Sequence, residues 1–309
     1  MTPSPENPGL LNWLLILGLG IVWGTAFMSI ALALNGFEPI TVAALRTTLG
    51  GLALWTAGMA MGQPLGAAPR GTWPTLTIIA ITSAALPFLL LAWGLQHVPS
   101  AFAGVAMGAG PLLLLPLVYV FSRDEGIGPR RVAGVLLGFV GLATLIGPGA
   151  FAGGGDFTTL GRLACVGAAT CYAISSILTR RASAIPPITF AAATLLISGA
   201  ILGPIALAVE GLPNRPPLSA PLALIYLALF PTGLAALLRI RVIRTAGSVF
   251  MSLVSYMVPV WAVVFGLFLL GEDLPPQVFT ALALILAGIG LSQWRSLRAG
   301  LLRRRATHE

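Results

Sequence analysis

Pro39-Ile40-Thr41-Val42-Ala43-Ala44 recurs 148 residues later as Pro187-Ile188-Thr189-Phe190-Ala191-Ala192. The same offset lays Gly51 on Gly199, Leu54 on Leu202, Ser100 on Ser248, Pro111 on Pro259 and Asp124 on Glu272; one residue more lays Gly141 on Gly290. The chain is a duplication, and its fold follows from what one copy does.

Composition answers that first. Of 309 residues, 57% are apolar and 8% charged, with mean hydropathy +0.95, where a soluble domain carries roughly 25% charge. The chain is written for a bilayer. A spanning helix takes about 20 apolar residues, so ten spans leave about a third of the chain for tails and connections. That excludes a water-soluble enzyme, a folded ectodomain and a nucleic-acid binder, although the net charge is +8 and the pI about 11.0. The two cysteines, Cys165 and Cys171, fall six residues apart in one apolar segment on different faces of one helix. They cannot bridge, and they say nothing of redox compartment. Residues 1–10 hold Glu6 and no basic region or small-residue cleavage site, so the first apolar run is expected to be the first span and not a removed signal.

Apolar runs bounded by Pro, Gly or charge predict helices near 11–34, 39–60, 73–95, 100–121, 131–147, 160–179, 186–209, 219–238, 247–270 and 275–294. Arginine fixes their orientation, because short basic loops stay on the cytoplasmic side. All seventeen basic residues are Arg. With the N-terminus inside, fourteen of them (70, 123, 130, 131, 180, 181, 239, 241, 244, 295, 298, 303, 304 and 305) fall on the cytoplasmic side. Only Arg162 and Arg215 fall outside, and Arg46 lies within a span. A helix missed in mid-chain would scramble that split. The expected fold is therefore all-α and integral to the membrane, with ten helices and both termini cytoplasmic. The Arg303-Arg304-Arg305 tail reads as an anchor near anionic lipid. Five is odd, so the second copy (149–309) enters from the opposite side to the first (1–148). The copies are inverted repeats, which suit alternating access; the alternative is a merely larger bundle.

Positions half a helix in from either end are the candidate pathway. They are Trp23, Thr25, Ser83, Pro87, Met107 and Pro111 in the first half. In the second they are Tyr172, Ser175, Ser176, Pro231, Thr232, Ser252, Ser255, Tyr256 and Pro259. A mid-helix Pro frees a carbonyl and kinks the helix, and repeat-matched breaks such as Pro111 and Pro259 point to a transport site. Packing kinks satisfied by neighbouring helices are the other reading. Trp23 and Tyr172 come within one residue of alignment and suggest a pair of cavity aromatics able to stack on a substrate. Trp93 and Trp261 lie nearer helix ends, where anchoring is their ordinary role.

Arg46 lies about seven residues, roughly 10 Å, from the start of its helix. It reads either as the site of a substrate carboxylate or as a structural Arg bonded to carbonyls. Its repeat partner is Thr194, so its role belongs to one half. All nine acidic residues (Glu6, Glu38, Asp124, Glu125, Asp156, Glu210, Glu272, Asp273 and Glu309) fall in tails or loops. With no membrane carboxylate to relay a proton, transport is expected to be facilitated. No metal or cofactor site is expected, and no nucleophile–base pair or paired carboxylates suited to an intramembrane lipid-modifying enzyme occupy the spans. Gly134 and Gly138 form a small-xxx-small pair that serves either dimerisation or packing inside one bundle.

Several of these residues resemble the EamA family of the drug/metabolite transporter superfamily, ten-helix permeases of bacterial inner membranes. Trp23-Gly24-Thr25-Ala26-Phe27 is similar to the family's Trp-Gly-Ser/Thr signature, Ala44-Leu45-Arg46 to its second-span Arg pattern, and Tyr256-Met257-Val258-Pro259-Val260 running to Gly271-Glu272 to its Pro-then-Gly-Glu ending. Arg123-Asp124-Glu125 is a looser version of that ending, lacking the Gly. The resemblance is greatest to the bacterial aromatic amino-acid exporter type. It implies a small-molecule substrate, an aromatic or other neutral amino acid or related metabolite. A multidrug or other metabolite exporter is the alternative within the superfamily.

Overall fold

The computed structural model describes residues 9–121, 128–147, 157–181 and 185–306, with side chains left undescribed at 115, 117–121, 180–181, 248–249 and 294–306. The expected Arg123-Asp124-Glu125 ending, and the side chains of Ser248 and the Arg303–Arg305 tail, lie outside the described residues. Every described element is helical: α1 Leu10–Ala33, α2 Pro39–Ala60, α3 Arg70–Gly94, α4 in two pieces (Ser100–Gly108 and Gly110–Phe121), α5 Pro129–Ile146, α6 Phe157–Arg181, α7 Pro187–Val209, α8 Ser219–Gly247, α9 Val254–Leu269 and α10 Pro276–Ala306. Helices are what the bilayer permits, since a lipid-exposed backbone group finds no partner outside its own segment. Pro39, Pro129 and Pro187 sit in the first turn of α2, α5 and α7, where a missing N–H costs nothing.

Among the described residues eight helices are long and apolar enough to cross a membrane; α4 and α9 contribute shorter apolar helices, Ser100–Leu114 and Val254–Leu269. The difference from the expected unbroken spans has local causes. The helix in α4 stops at Ala109 and restarts at Gly110-Pro111. The run after α8 passes through Gly247 (φ 86, ψ 162), a left-handed conformation that only glycine adopts cheaply, and turns again at 252–253 before α9. Helix α10 outruns its expected end at 294, since no Pro follows to stop it.

Packing pairs α2 with α7, α5 with α10 and α4 with α9. It also sets α1 against α8 and α9, α6 against α3 and α4, α3 against α7, and α2 against the middle of α8. Small residues let these helices approach. A Cβ at Gly108 would lie 2.6 Å from Pro259; one at Gly104 would meet Ala262, and one at Gly266 would meet Ala101 and the Glu272 carboxylate. The small-residue pair of α5 faces the interior of the bundle, with Gly134 against Gly288 and Ser292 of α10 and Gly138 against Leu112. Large apolar side chains cover the outside, Phe268 being 80% exposed.

Carboxylates close one end. Glu210, just past α7, accepts the N–H groups of Ile40 (2.8 Å) and Thr41 (2.7 Å) and the Thr41 hydroxyl (2.7 Å) at the start of α2. Glu272, just past α9, likewise accepts Ser100 N–H (2.6 Å) and Ala101 N–H (3.1 Å) at the start of α4. An anion at a helix N-terminus satisfies orphan donors and meets the positive end of the dipole. At the opposite end of the α2/α7 pair, Gln63 does the same with a neutral amide. Its Oε1 accepts Ile188 N–H (3.3 Å) and its backbone carbonyl accepts the Thr189 hydroxyl (2.9 Å).

Candidate functional site

Wide turns at corresponding places, each with a proline in or just after it, reshape α3 and α8. Residues Ile81–Ala85 and Ala228–Leu234 form wide π-type turns, and the 148-residue offset maps 81 onto 229. A Pro ring clashes with the carbonyl four residues earlier and donates no N–H; Pro87 would face Ser83, inside the first wide turn, and Pro231 lies within the second. Such turns leave carbonyls without their usual helical donors. Three of those nearby carbonyls have side-chain partners: Ala80 O shares the Ser198 hydroxyl proton (3.0 Å) with Thr194 O (2.8 Å), Leu227 O accepts Thr232 Oγ1–H (2.8 Å), and Pro231 O accepts the Trp23 indole N–H (3.0 Å).

Arg46 sits beside this pair of turns, 7% exposed. Its Nε–H donates to Thr232 Oγ1 (2.9 Å), whose own proton is engaged with Leu227, so the hydroxyl is held as an acceptor for the cation. The guanidinium lies 3.7 Å over the Phe88 ring, and that ring tilts against Tyr172 at 6.4 Å. Thr25 and Tyr226 hydroxyls lie 2.8 Å apart on α1 and α8. Among the described residues no carboxylate pairs with Arg46, and insertion scales put the burial of such a charge at about 2.5–3.5 kcal/mol. Arg46, Tyr172 and Thr232, expected from the sequence, thus come together from α2, α6 and α8, and Trp23 and Thr25 of α1 reach α8 at Pro231 and Tyr226. Phe88 and Tyr226 join them unforeseen.

Other expected positions lie elsewhere. Ser175 is buried on α6, and its neighbour Ser176 is exposed and donates to Tyr172 O (2.8 Å) of its own helix. Ser83 is half-buried within the wide turn of α3, and Pro87 is buried behind it. Met107 and Tyr256 pack against the central core, and the buried Tyr256 hydroxyl meets no hydrogen-bond partner among the described residues. Ser252 bonds Gln293 of α10 (3.2 Å), with Ser255 one turn further along. Pro111 starts the second piece of α4, whereas Pro259 lies inside an unbroken α9 with its ring against Gly108. The matched breaks expected at those two prolines are therefore not found; the matched distortion belongs to α3 and α8.

A cavity of about 490 Å³ opens at the end closed by Glu210, between Glu38, Pro39, Ile40, Leu89, Leu90, Trp93 and Gln96. Its wall includes the two residues that follow Phe88. Trp93, expected as an anchor, lines it and sits edge-on to His97 at 4.8 Å.

Comparison with known proteins adds to this geometry. The model of the EamA-like transporter family matches residues 11–147 and again 159–293. The uncharacterized inner membrane transporter YedA of Escherichia coli K12 is 28% identical over 89% of this chain and 88% of its own length. A probable terminal-alkyne amino-acid exporter of Streptantibioticus cattleyicolor is 28% identical over 92% of this chain and 94% of its own. A solved crystal structure superposes with a TM-score of 0.66, covering 92% of this chain and 98% of its own at 23% identity, a likeness of fold alone.

Proposed function

Because the chain belongs to the EamA-like transporter family, we propose that it is a multi-pass inner-membrane exporter of amino acids or related small metabolites, working by alternating access between two inverted five-helix repeats, 1–148 and 149–309. The observation that carries this reading is the exchange of packing partners between halves. Helix α1 packs on α8 and α9 as α6 packs on α3 and α4, while α2, α4 and α5 each meet their own counterparts. A two-fold relation in the membrane plane accounts for all of these pairings at once, and the two family-model matches fall on the same two halves. Inverted repeats of this kind alternate by rocking one bundle against the other around a central site. The Arg distribution supports cytoplasmic termini, and the similarity to YedA supports the inner membrane.

The substrate class rests on the cluster around Arg46, where a cation, hydroxyls and aromatic faces converge, and on the similarity to an amino-acid exporter. The mechanism is facilitated, since every acidic residue of the sequence lies outside the spans. Counterflow in proteoliposomes with labelled amino acids is the test. Saturable uptake against unlabelled internal substrate, unchanged by an uncoupler, is expected. Failure across amino acids, nucleosides, sugars and cationic drugs overturns the transporter reading; collapse of uphill transport on uncoupling overturns the facilitated one.

A further inference from the structure

Arg46 has more hydrogen-bonding capacity than the protein satisfies. A guanidinium carries five N–H donors in a planar fork. Among the described residues only Nε–H finds an acceptor, Thr232 Oγ1, and one face of the plane is covered by Phe88. The Nη edge has no hydrogen-bonded partner among the described residues. The side chain is 7% exposed, so the opening that reaches it is narrow. No acidic residue anywhere in the sequence lies within a span to neutralise it.

We infer that the Nη edge of Arg46 is the receptor for a substrate carboxylate, so that the transported class is organic monocarboxylates, amino acids among them, and not cationic or uncharged drugs. This deepens the transporter reading and rests on it. Three features favour a carboxylate. The two oxygens of a carboxylate match the fork in a bidentate pair. A single negative charge cancels the single buried positive one, whereas a phosphate monoester brings about −1.5 to −2 and leaves excess charge in an apolar setting. The rest of the neighbourhood is built for an organic body: with the Phe88 face taken by Arg46 itself, Tyr172 and Trp23 carry the remaining rings, and an ammonium group, where present, is received by those rings and not by an acid. A cation without a carboxylate meets only repulsion from Arg46.

The full-length protein in lipid nanodiscs tests this by tryptophan-fluorescence titration with 3-phenylpropionate, L-phenylalanine, 3-phenylpropanamide, phenethylammonium and inorganic phosphate. The two carboxylates are expected to bind at least about tenfold more tightly than the amide, the scale of one charge-assisted hydrogen bond, with phenethylammonium and phosphate failing to compete. Arg46→Gln is expected to bring the carboxylate-to-amide ratio close to one. Should that variant not fold, Arg46→Lys keeps the charge but loses the fork, and its ratio is expected to fall severalfold. A ratio near one in the wild type, a ratio that survives Arg46→Gln, or an unchanged ratio in Arg46→Lys overturns the inference. Counterflow separates the two levels. Transport of cationic and carboxylate probes at equal rates sinks the carboxylate receptor and leaves the transporter standing, whereas carboxylate-selective binding without any counterflow does the reverse.

Discussion

Helices α2 and α7 are the same sequence motif used twice and packed on one another, and they differ in two places. The repeated part is the contact: a Cβ at Gly51 would lie 2.9 Å from Leu196 Cγ and 3.0 Å from its backbone N, and one at Gly199 would meet Thr48, 3.2 Å from its Cα and N. The first difference is internal. Arg46 reaches across to α8, while its counterpart Thr194 donates back to Phe190 O (3.0 Å) or Ala191 O (3.1 Å) of its own helix. The second is at the ends, where a carboxylate holds the start of α2 and an amide holds the start of α7. Duplication kept the positions that decide how closely two helices approach. The polar positions diverged, and they give the two sides of the molecule different chemistry.

The comparison can be broken first where it is most alike. Gly199→Leu drives a side chain into the Thr48 backbone, and a loss of about 3 kcal/mol is expected for overpacking of this kind, read as a large drop in the melting temperature of the detergent-purified protein. Gly51→Leu should cost somewhat less, because Leu196 presents a movable side chain as well as backbone; equal losses would show that the two contacts yield alike. Next in size is Arg46→Met. Replacing an unpaired buried charge with an apolar side chain of similar length is often stabilising, so thermal stability is expected to hold or rise by up to about 2 kcal/mol. Thr194→Val at the matching position removes one hydrogen bond within α7 and should cost about 0.5–1.5 kcal/mol; a marked fall for Arg46→Met would assign Arg46 to the scaffold. Glu210→Gln removes the charge from three hydrogen bonds and is expected to cost about 1–2 kcal/mol, measurable as faster amide exchange at Ile40 and Thr41. The smallest effect erases the difference between the ends: Gln63→Glu should slow exchange at Ile188 by an amount worth about 0.5 kcal/mol, and no slowing would mean that the Gln63 side chain does not hold the start of α7.

The helices were legible because the bilayer leaves the backbone one choice and because Pro and Gly mark the ends. Their internal distortions were harder to read. Sequence reasoning weighed Pro111 and Pro259 as the matched pair, since the offset aligns them, yet Pro259 is absorbed in a continuous helix with its ring on Gly108. The matched wide turns sit instead near Pro87 and Pro231, which align only loosely and whose effect depends on side chains from other helices reaching the released carbonyls. Arg46 and Thr232 were visible as polar residues in apolar runs. Phe88 was not, being one of 14 phenylalanines in a chain where an aromatic ring reads as packing; only the guanidinium lying over it sets it apart. Ser175 and Ser176 show the limit of depth as a criterion, because adjacent residues on a helix point about 100° apart, and one is buried while the other is exposed.

The crossing of α4 and α9 is built from Gly104 on Ala262, Gly108 on Pro259 and Gly266 on Ala101. Long side chains interlock like cogs and must be unmeshed before two helices change their angle. At these three points a glycine leaves nothing to unmesh, where α4 meets its own counterpart. For the alternating access proposed above, a tilt about this line would meet little resistance at the three glycines and more at the end, where Glu272 ties α9 to the first turn of α4 like a tether on one side of a fulcrum.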